Sequence, residues 1–166
     1  MRHIISILLQ NEAGALARVA NMFAARGYNI DSLSVAPTYD PTVSRLTLVT
    51  AGSDEVINQI IQQTRKLIDV VEIEDLAARD HLECELVMLK VDARNGAARA
   101  VVDCARRHRA LILDESESTR TIQLAGTGIE VDALLADISR VAKVLELVRS
   151  GVAALSRGHH VMSLPN

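Results

Sequence analysis

What most constrains this chain is a change of hydrophobic period that occurs twice in the same order. His3–Leu9 is a short, nearly continuous apolar run, as a buried strand requires, whereas Leu16, Val19, Ala20 and Phe23 recur at the spacing of one helix face. That spacing predicts a helix over Ala15–Arg26, and Gly27 follows where a left-handed C-terminal cap is least costly. Ile30–Ala36 reads as a second strand with an irregularity, because Ile30 is out of phase with Leu33 and Val35. Pro37 to Pro41 supplies a turn, and Val43–Ala51 is a third strand. Ser53 or Asp54 can cap a second helix, in which Val56, Ile57, Ile60, Ile61, Thr64 and Ile68 keep helical spacing; Val70–Leu76 then returns to strand. The order is β-α-β-β-α-β.

After a small polar joint, Ala77–Asp80, the same order recurs. Leu82–Val91 reads as a strand, and Ala97–Arg109 as a helix facing inward through Val101, Cys104 and Ala105. Leu111–Leu113 and Thr121–Ala125 flank a polar turn at Glu115–Ser118. A helix through Val131, Leu134, Leu135 and Ile138 and a strand over Val144–Val148 complete the second unit. The expectation is an α+β protein: two ferredoxin-like βαββαβ sandwiches in tandem, 1–77 and 78–166, each an antiparallel sheet with two helices on one face. Such a unit leaves sheet edges and one sheet face open, so pairing between copies through the first unit is expected.

Composition excludes several classes of function. The chain has 166 residues, 49% hydrophobic and 23% charged, with net charge −3, which suits a globular protein with a real core. No apolar run reaches the ~18 residues of a membrane span. Two cysteines twenty positions apart form neither a disulfide framework nor a ligand pair, so a reduced, cytoplasmic protein is expected. Phe23, Tyr28 and Tyr39 are the only Phe, Trp or Tyr residues, too few for a stacking platform. Charge is spread, with 6 Lys/Arg against 9 Asp/Glu in residues 1–78 and 12 against 12 in 79–166, so no basic groove for nucleic acid is expected.

No catalytic set assembles, and no metal site is expected. Cys84 shares parity with Leu82, Leu86 and Met88, and Cys104 sits on an apolar helix face; both read as buried small hydrophobes. Gly126-Thr127-Gly128 reads as a turn before a helix, since a dinucleotide fingerprint needs a third glycine and a parallel βαβ unit. His159-His160 read as surface histidines without carboxylates at ligand spacing, and Arg106-Arg107-His108-Arg109 as a helix end where cations complement the dipole.

The turn from the first strand into the first helix is more informative. Asn11 is a capping residue type, and Gly14 removes the Cβ where a ligand or a second backbone could approach. A helix start offers unpaired N–H groups and the positive dipole end, which suits a carboxylate. Asn29, opening the second strand beside that turn, carries both an amide donor and a carbonyl acceptor for an amino-acid head group.

The blocks Asn11-Glu12-Ala13-Gly14-Ala15-Leu16-Ala17-Arg18-Val19, Arg26-Gly27-Tyr28-Asn29-Ile30-Asp31-Ser32-Leu33 and Val35-Ala36-Pro37-Thr38 strongly resemble the small regulatory subunits of acetolactate synthase (acetohydroxyacid synthase). Gln123-Leu124-Ala125-Gly126-Thr127 and Arg149-Ser150-Gly151-Val152-Ala153-Ala154-Leu155-Ser156-Arg157-Gly158 extend the resemblance over nearly the whole chain. It departs at Ala17 and Tyr39, where the family commonly has Ser and an acidic residue. The resemblance implies an N-terminal ACT domain, an amino-acid-binding ferredoxin-like module that pairs side by side into a homodimer with the effector at the interface. Carried over by position, Asn11, Gly14 and Asn29 would bind the effector, with Ala15, Leu16 and Ile30 as the nearby wall. It further implies a non-catalytic chain that activates a large catalytic subunit and confers feedback inhibition by valine. Thiamine diphosphate, Mg²⁺ and FAD would belong to that partner. Two other readings fit the fold: a free-standing ACT-type sensor acting on another enzyme or a transcription factor, and a small acyl-phosphate hydrolase. The hydrolase needs a cationic cradle in the first turn, and Asn11–Ala15 contains no Arg or Lys.

Overall fold

The structure, a computed structural model, describes residues 1–163. Two compact units emerge among the described residues: Met1–Leu82 together with Val152–Ser163, and Glu83–Gly151. The first unit therefore runs just past the joint expected at Ala77–Asp80, and Val152–Ser163 groups with it and not with the second unit. Leu164, Pro165 and Asn166 of the expected second domain lie outside the described residues.

The first unit contains β1 (Arg2–Gln10), α1 (Ala15–Ala24), β2 (Ser32–Pro37), β3 (Val43–Ala51), α2 (Asp54–Thr64), β4 (Val70–Asp75) and a 3₁₀ turn at Leu76–Ala78. The sheet order is β2-β3-β1-β4, antiparallel throughout. Ile5, Ile7 and Leu9 of β1 pack with Leu46 and Leu48 of β3 against Ala15, Val19 and Phe23 of α1 and Ile57, Ile60 and Ile61 of α2. Helix α1 ends two residues early because Gly27, at φ +71°, turns the chain, and the Tyr28 amide bonds back to the Phe23 carbonyl. Helix α2 stops at Thr64, so Ile68 leaves its apolar stripe and is 87% exposed. The irregularity at Ile30 keeps that residue outside β2, where it packs on the core.

The sheet face turned away from the helices is partly covered. Ile4 and Val49 are buried against Leu76, Val152 and Ala154. The Val152 amide donates to Ser32 Oγ at 3.1 Å, and the Arg45 guanidinium donates to the Ala154 carbonyl at 3.2 Å. Sequence periodicity identifies neither contact, because an alternation of only two small apolar residues resembles any strand end.

The second unit is built from β5 (His81–Asp92) from Glu83 on, α3 (Ala97–Arg107), β6 (Leu111–Glu115), β7 (Thr119–Gly126), α4 (Gly128–Val141) and the first part of β8 (Val144–Ser156), in sheet order β6-β7-β5-β8. Thr127 caps α4 in a reciprocal box with Glu130, so Gly126-Thr127-Gly128 is indeed a turn before a helix. Cys104 is buried in the core and burial pushes its thiol pKa up. Cys84 departs from expectation: Val87, Leu89 and Val91 take the helix-facing positions of β5, and Cys84 falls on the opposite, exposed face. Both units thus have the tandem ferredoxin-like α+β architecture.

Candidate functional site

Asn11 anchors the turn between β1 and α1 and does not cap the helix. Its backbone amide donates to the Thr42 carbonyl at 2.8 Å and its Nδ2 to the Pro41 carbonyl at 2.9 Å, joining this turn to the β2–β3 connection. Gly14 occupies the N-cap position at φ +86°, a left-handed conformation suited to glycine, and no side chain caps the helix. The Ala15 amide bonds to the Glu12 carbonyl and the Arg18 amide to the Gly14 carbonyl. The intervening amides of Leu16 and Ala17 have no carbonyl partner among the described residues, and the first turn holds no acidic side chain. This helix start is therefore electropositive and has donors free.

Arg18 adds a cation there. Its Nε and Nη2 donate to the two carboxylate oxygens of Asp69 at 2.5 and 2.7 Å. Asp69 is nearly buried, with its side chain 4% exposed, and the guanidinium holds its carboxyl below the usual carboxylate range. The Asp69 carbonyl also accepts from the Gln10 amide at 2.8 Å, so one residue secures both ends of the turn. The third guanidinium nitrogen, Nη1, lies 2.9 Å from where a Cβ on Gly14 would stand. Thus a cation sits at the turn although Asn11–Ala15 contains none. Its signal was the four-residue step from Gly14, which places Arg18 above it on one helix face; nothing local in the sequence marks Asp69.

The other expected site residues are divided. Ala15 is buried in the core, while Leu16 and Ile30 pack partly against it. Asn29 is exposed, its Nδ2 donates to Asp31 Oδ1 at 2.7 Å, and its carbonyl accepts from Thr50 Oγ1 at 2.6 Å. Thr50 pairs with His3 at the start of β1, whereas the Asn11 turn leaves from the far end, where Gln10 pairs with Val43. Thr42 and Thr50 are eight residues apart, which in a strand is roughly 26 Å. Asn29 is therefore not beside the first turn within one chain, contrary to the sequence expectation. The reason is directional: β2 is antiparallel to β3 and β3 to β1, so β2 runs with β1 and starts where β1 starts.

Strand β2 is also an unusual edge. Leu33 and Val35 pair with the fully buried Leu48 and Leu46, on the helix side of the sheet, yet are 36% and 42% exposed because the helices leave that margin bare. The β2 sequence Ser-Leu-Ser-Val-Ala-Pro carries no charge, while the opposite edge, β4, carries Glu72, Glu74 and Asp75. Glu74 is not free: its Oε2 lies 2.7 Å from His160 Nε2, so the histidine expected to lie on the surface without a carboxylate has one from a distant strand. Among the described residues no group of three or more His, Cys, Asp or Glu is placed to hold a metal ion, and no helix is long and apolar enough to cross a membrane.

Comparison with known proteins follows the two units. Residues 5–72 match the family described as AHAS small subunit-like ACT domain, and residues 84–158 match that described as small subunit of acetolactate synthase. The acetolactate synthase isozyme 3 small subunit of Escherichia coli K12 is 47% identical over 162 residues, spanning 98% of this chain and 99% of the relative. The chain belongs to the acetolactate synthase small-subunit family. The Haemophilus influenzae acetolactate synthase small subunit is 42% identical over 95% of this chain and 97% of its own length. The crystal structure of the acetolactate synthase small subunit from Thermotoga maritima superposes with a TM-score of 0.87 at 30% identity, covering 96% of this chain and 99% of that one. Its fold is thus shared over both units, and the first unit is an ACT domain of this small-subunit type.

Proposed function

We propose that this chain is the regulatory subunit of an acetolactate synthase, without catalytic activity of its own. It binds a separate large catalytic subunit in the cytoplasm, activates it and confers feedback inhibition by valine. The likeness to proteins named small subunits, in both units and over nearly the whole length, carries this reading. The condensation of two pyruvates, or of pyruvate with 2-ketobutyrate, then belongs to the large subunit, as do thiamine diphosphate, Mg²⁺ and FAD.

The effector reading rests on the first unit. An uncapped helix start with an adjoining guanidinium suits the carboxylate of an amino acid. Asn11 and Gly14 lie at one end of the sheet and Asn29 at the other, so a complete site needs two chains. Antiparallel two-fold pairing of the uncharged β2 edges sets the Ser32 end of one strand against the Pro37 end of the other. That brings Asn29 of the partner subunit toward the Asn11 turn and covers Leu33 and Val35. A ligand gripped by both subunits favours one relative orientation of the pair, which is what inhibition by differential affinity requires.

Calorimetric titration of the full chain with L-valine, using D-valine and L-alanine as controls, tests the effector reading. Saturable binding of L-valine that fails for D-valine is expected, together with valine-dependent inhibition when the large subunit is added. If valine neither binds the chain nor inhibits the reconstituted enzyme, the sensing role is wrong, whereas loss of activation alone would remove the partner assignment.

A further inference from the structure

We propose that Arg18 supplies the charged contact to the effector's α-carboxylate, and that Asp69 is the residue that positions it. The assignment rests on the effector reading above and adds the group that selects for a free carboxylate. A guanidinium has a rigid planar fork of donors. Asp69 engages Nε and Nη2 from a nearly buried position, which fixes the plane and turns Nη1 toward Gly14. Nη1 thus lies at Gly14, the N-cap of α1, whose first turn also carries the Leu16 and Ala17 amides and holds no acidic side chain. Glu12, which adds to the negative field on Arg18, is exposed and precedes the helix. A carboxylate arriving here meets donors that are already oriented, so little ordering remains to be done on binding.

The geometry also assigns Gly14 a second role. A Cβ at this position would come within 2.9 Å of Nη1, so any side chain there must push the guanidinium aside. An aspartate would do more, because its carboxylate would lie within reach of the same nitrogen and satisfy it internally.

The test compares L-valine with L-valinamide, which keeps the amine and the side chain but lacks the carboxylate charge. Both are titrated into the full-length wild-type protein, Arg18→Gln, Arg18→Lys and Asp69→Asn, with circular dichroism confirming that each variant is folded. Wild type is expected to prefer valine by about tenfold or more, the usual size of a charge-assisted contact. Arg18→Gln should narrow that preference several-fold by weakening valine alone, the helix-start amides keeping the remainder. Arg18→Lys should keep part of the preference, since an ammonium is a point charge that cannot hold Asp69 bidentately and still reach the ligand. Asp69→Asn should reduce the preference less than Arg18→Gln does. An unchanged preference in Arg18→Gln overturns the Arg18 contact while leaving the effector reading intact. Equal weakening of both ligands in Asp69→Asn overturns the positioning role, because a merely structural loss does not distinguish the ligands. No binding of valine to wild type, alone or with the large subunit, overturns the effector reading and this assignment with it.

Discussion

Gly14 answers to two constraints, a left-handed backbone and the guanidinium packed over its Cα. Gly14→Asp should therefore lower valine sensitivity of the reconstituted enzyme by about tenfold or more while leaving activation of the large subunit in place. Inhibition curves against valine measure both quantities in one experiment, and normal inhibition by this variant would displace the site from the turn. Asp69 makes a separate, pH-dependent prediction. Its carboxyl is held below the usual range by Arg18 in the folded chain, so it binds a proton more readily when unfolded, where its pKa is about 3.9. The stabilisation is thus present above about pH 4 and is lost as pH falls through the depressed folded value. Asp69→Asn should lower the urea midpoint near pH 7, and the gap from wild type should narrow steadily below about pH 4. A gap of constant size down to pH 2 would show that the ion pair adds no such linkage.

Among the elements, those with a strong internal period were legible from sequence. The stripe Val19 and Phe23 in α1, the run of β1, and Val131, Leu134 and Ile138 in α4 all face the cores expected of them. Ends and faces were less legible, because they depend on neighbours distant in sequence. Ile68 continues a helical spacing past the point where α2 stops, and Cys84 keeps the parity of Leu82 and Met88 on an exposed sheet face. The end of β8 is the clearest case. Val152 and Ala154 complete a small second core with Ile4, Val49 and Leu76, and only three-dimensional placement reveals it. Val152→Asp would bury an unpaired charge there and should destabilise the first unit by about 3 kcal/mol or more. Hydrogen exchange at the amides of β1 and β3 reads that unit separately from the second, whose α4 amides should keep their protection. Equal loss in both units, or none, would contradict the grouping of this segment with the first unit.

At the scale of the whole molecule, the candidate site was half legible. The resemblance blocks point to Asn11, Gly14 and Asn29, but strand direction places Asn29 at the opposite end of the sheet from the other two. Two copies paired through β2 would have two equivalent sites, each joining the Gly14 turn of one chain to Asn29 of the other. This arrangement makes a prediction that no single-chain site can meet. Gly14→Asp homodimers and Asn29→Asp homodimers should each lack valine binding, since both defects appear in every site. A heterodimer of the two variants collects both defects in one site and leaves the second site with intact Gly14 and intact Asn29. Mixed and co-refolded variants, with the heterodimer isolated through two different affinity tags, should then bind close to half an equivalent of valine per chain with wild-type affinity. A site contained within one chain would give no recovery, because every chain in the mixture carries one of the two lesions. Ser34→Pro, placed in the middle of the β2 edge, should abolish dimer formation and valine binding together, as seen by sedimentation and calorimetry. Valine binding that survives in a monomeric Ser34→Pro protein would refute the shared site even if the heterodimer had bound.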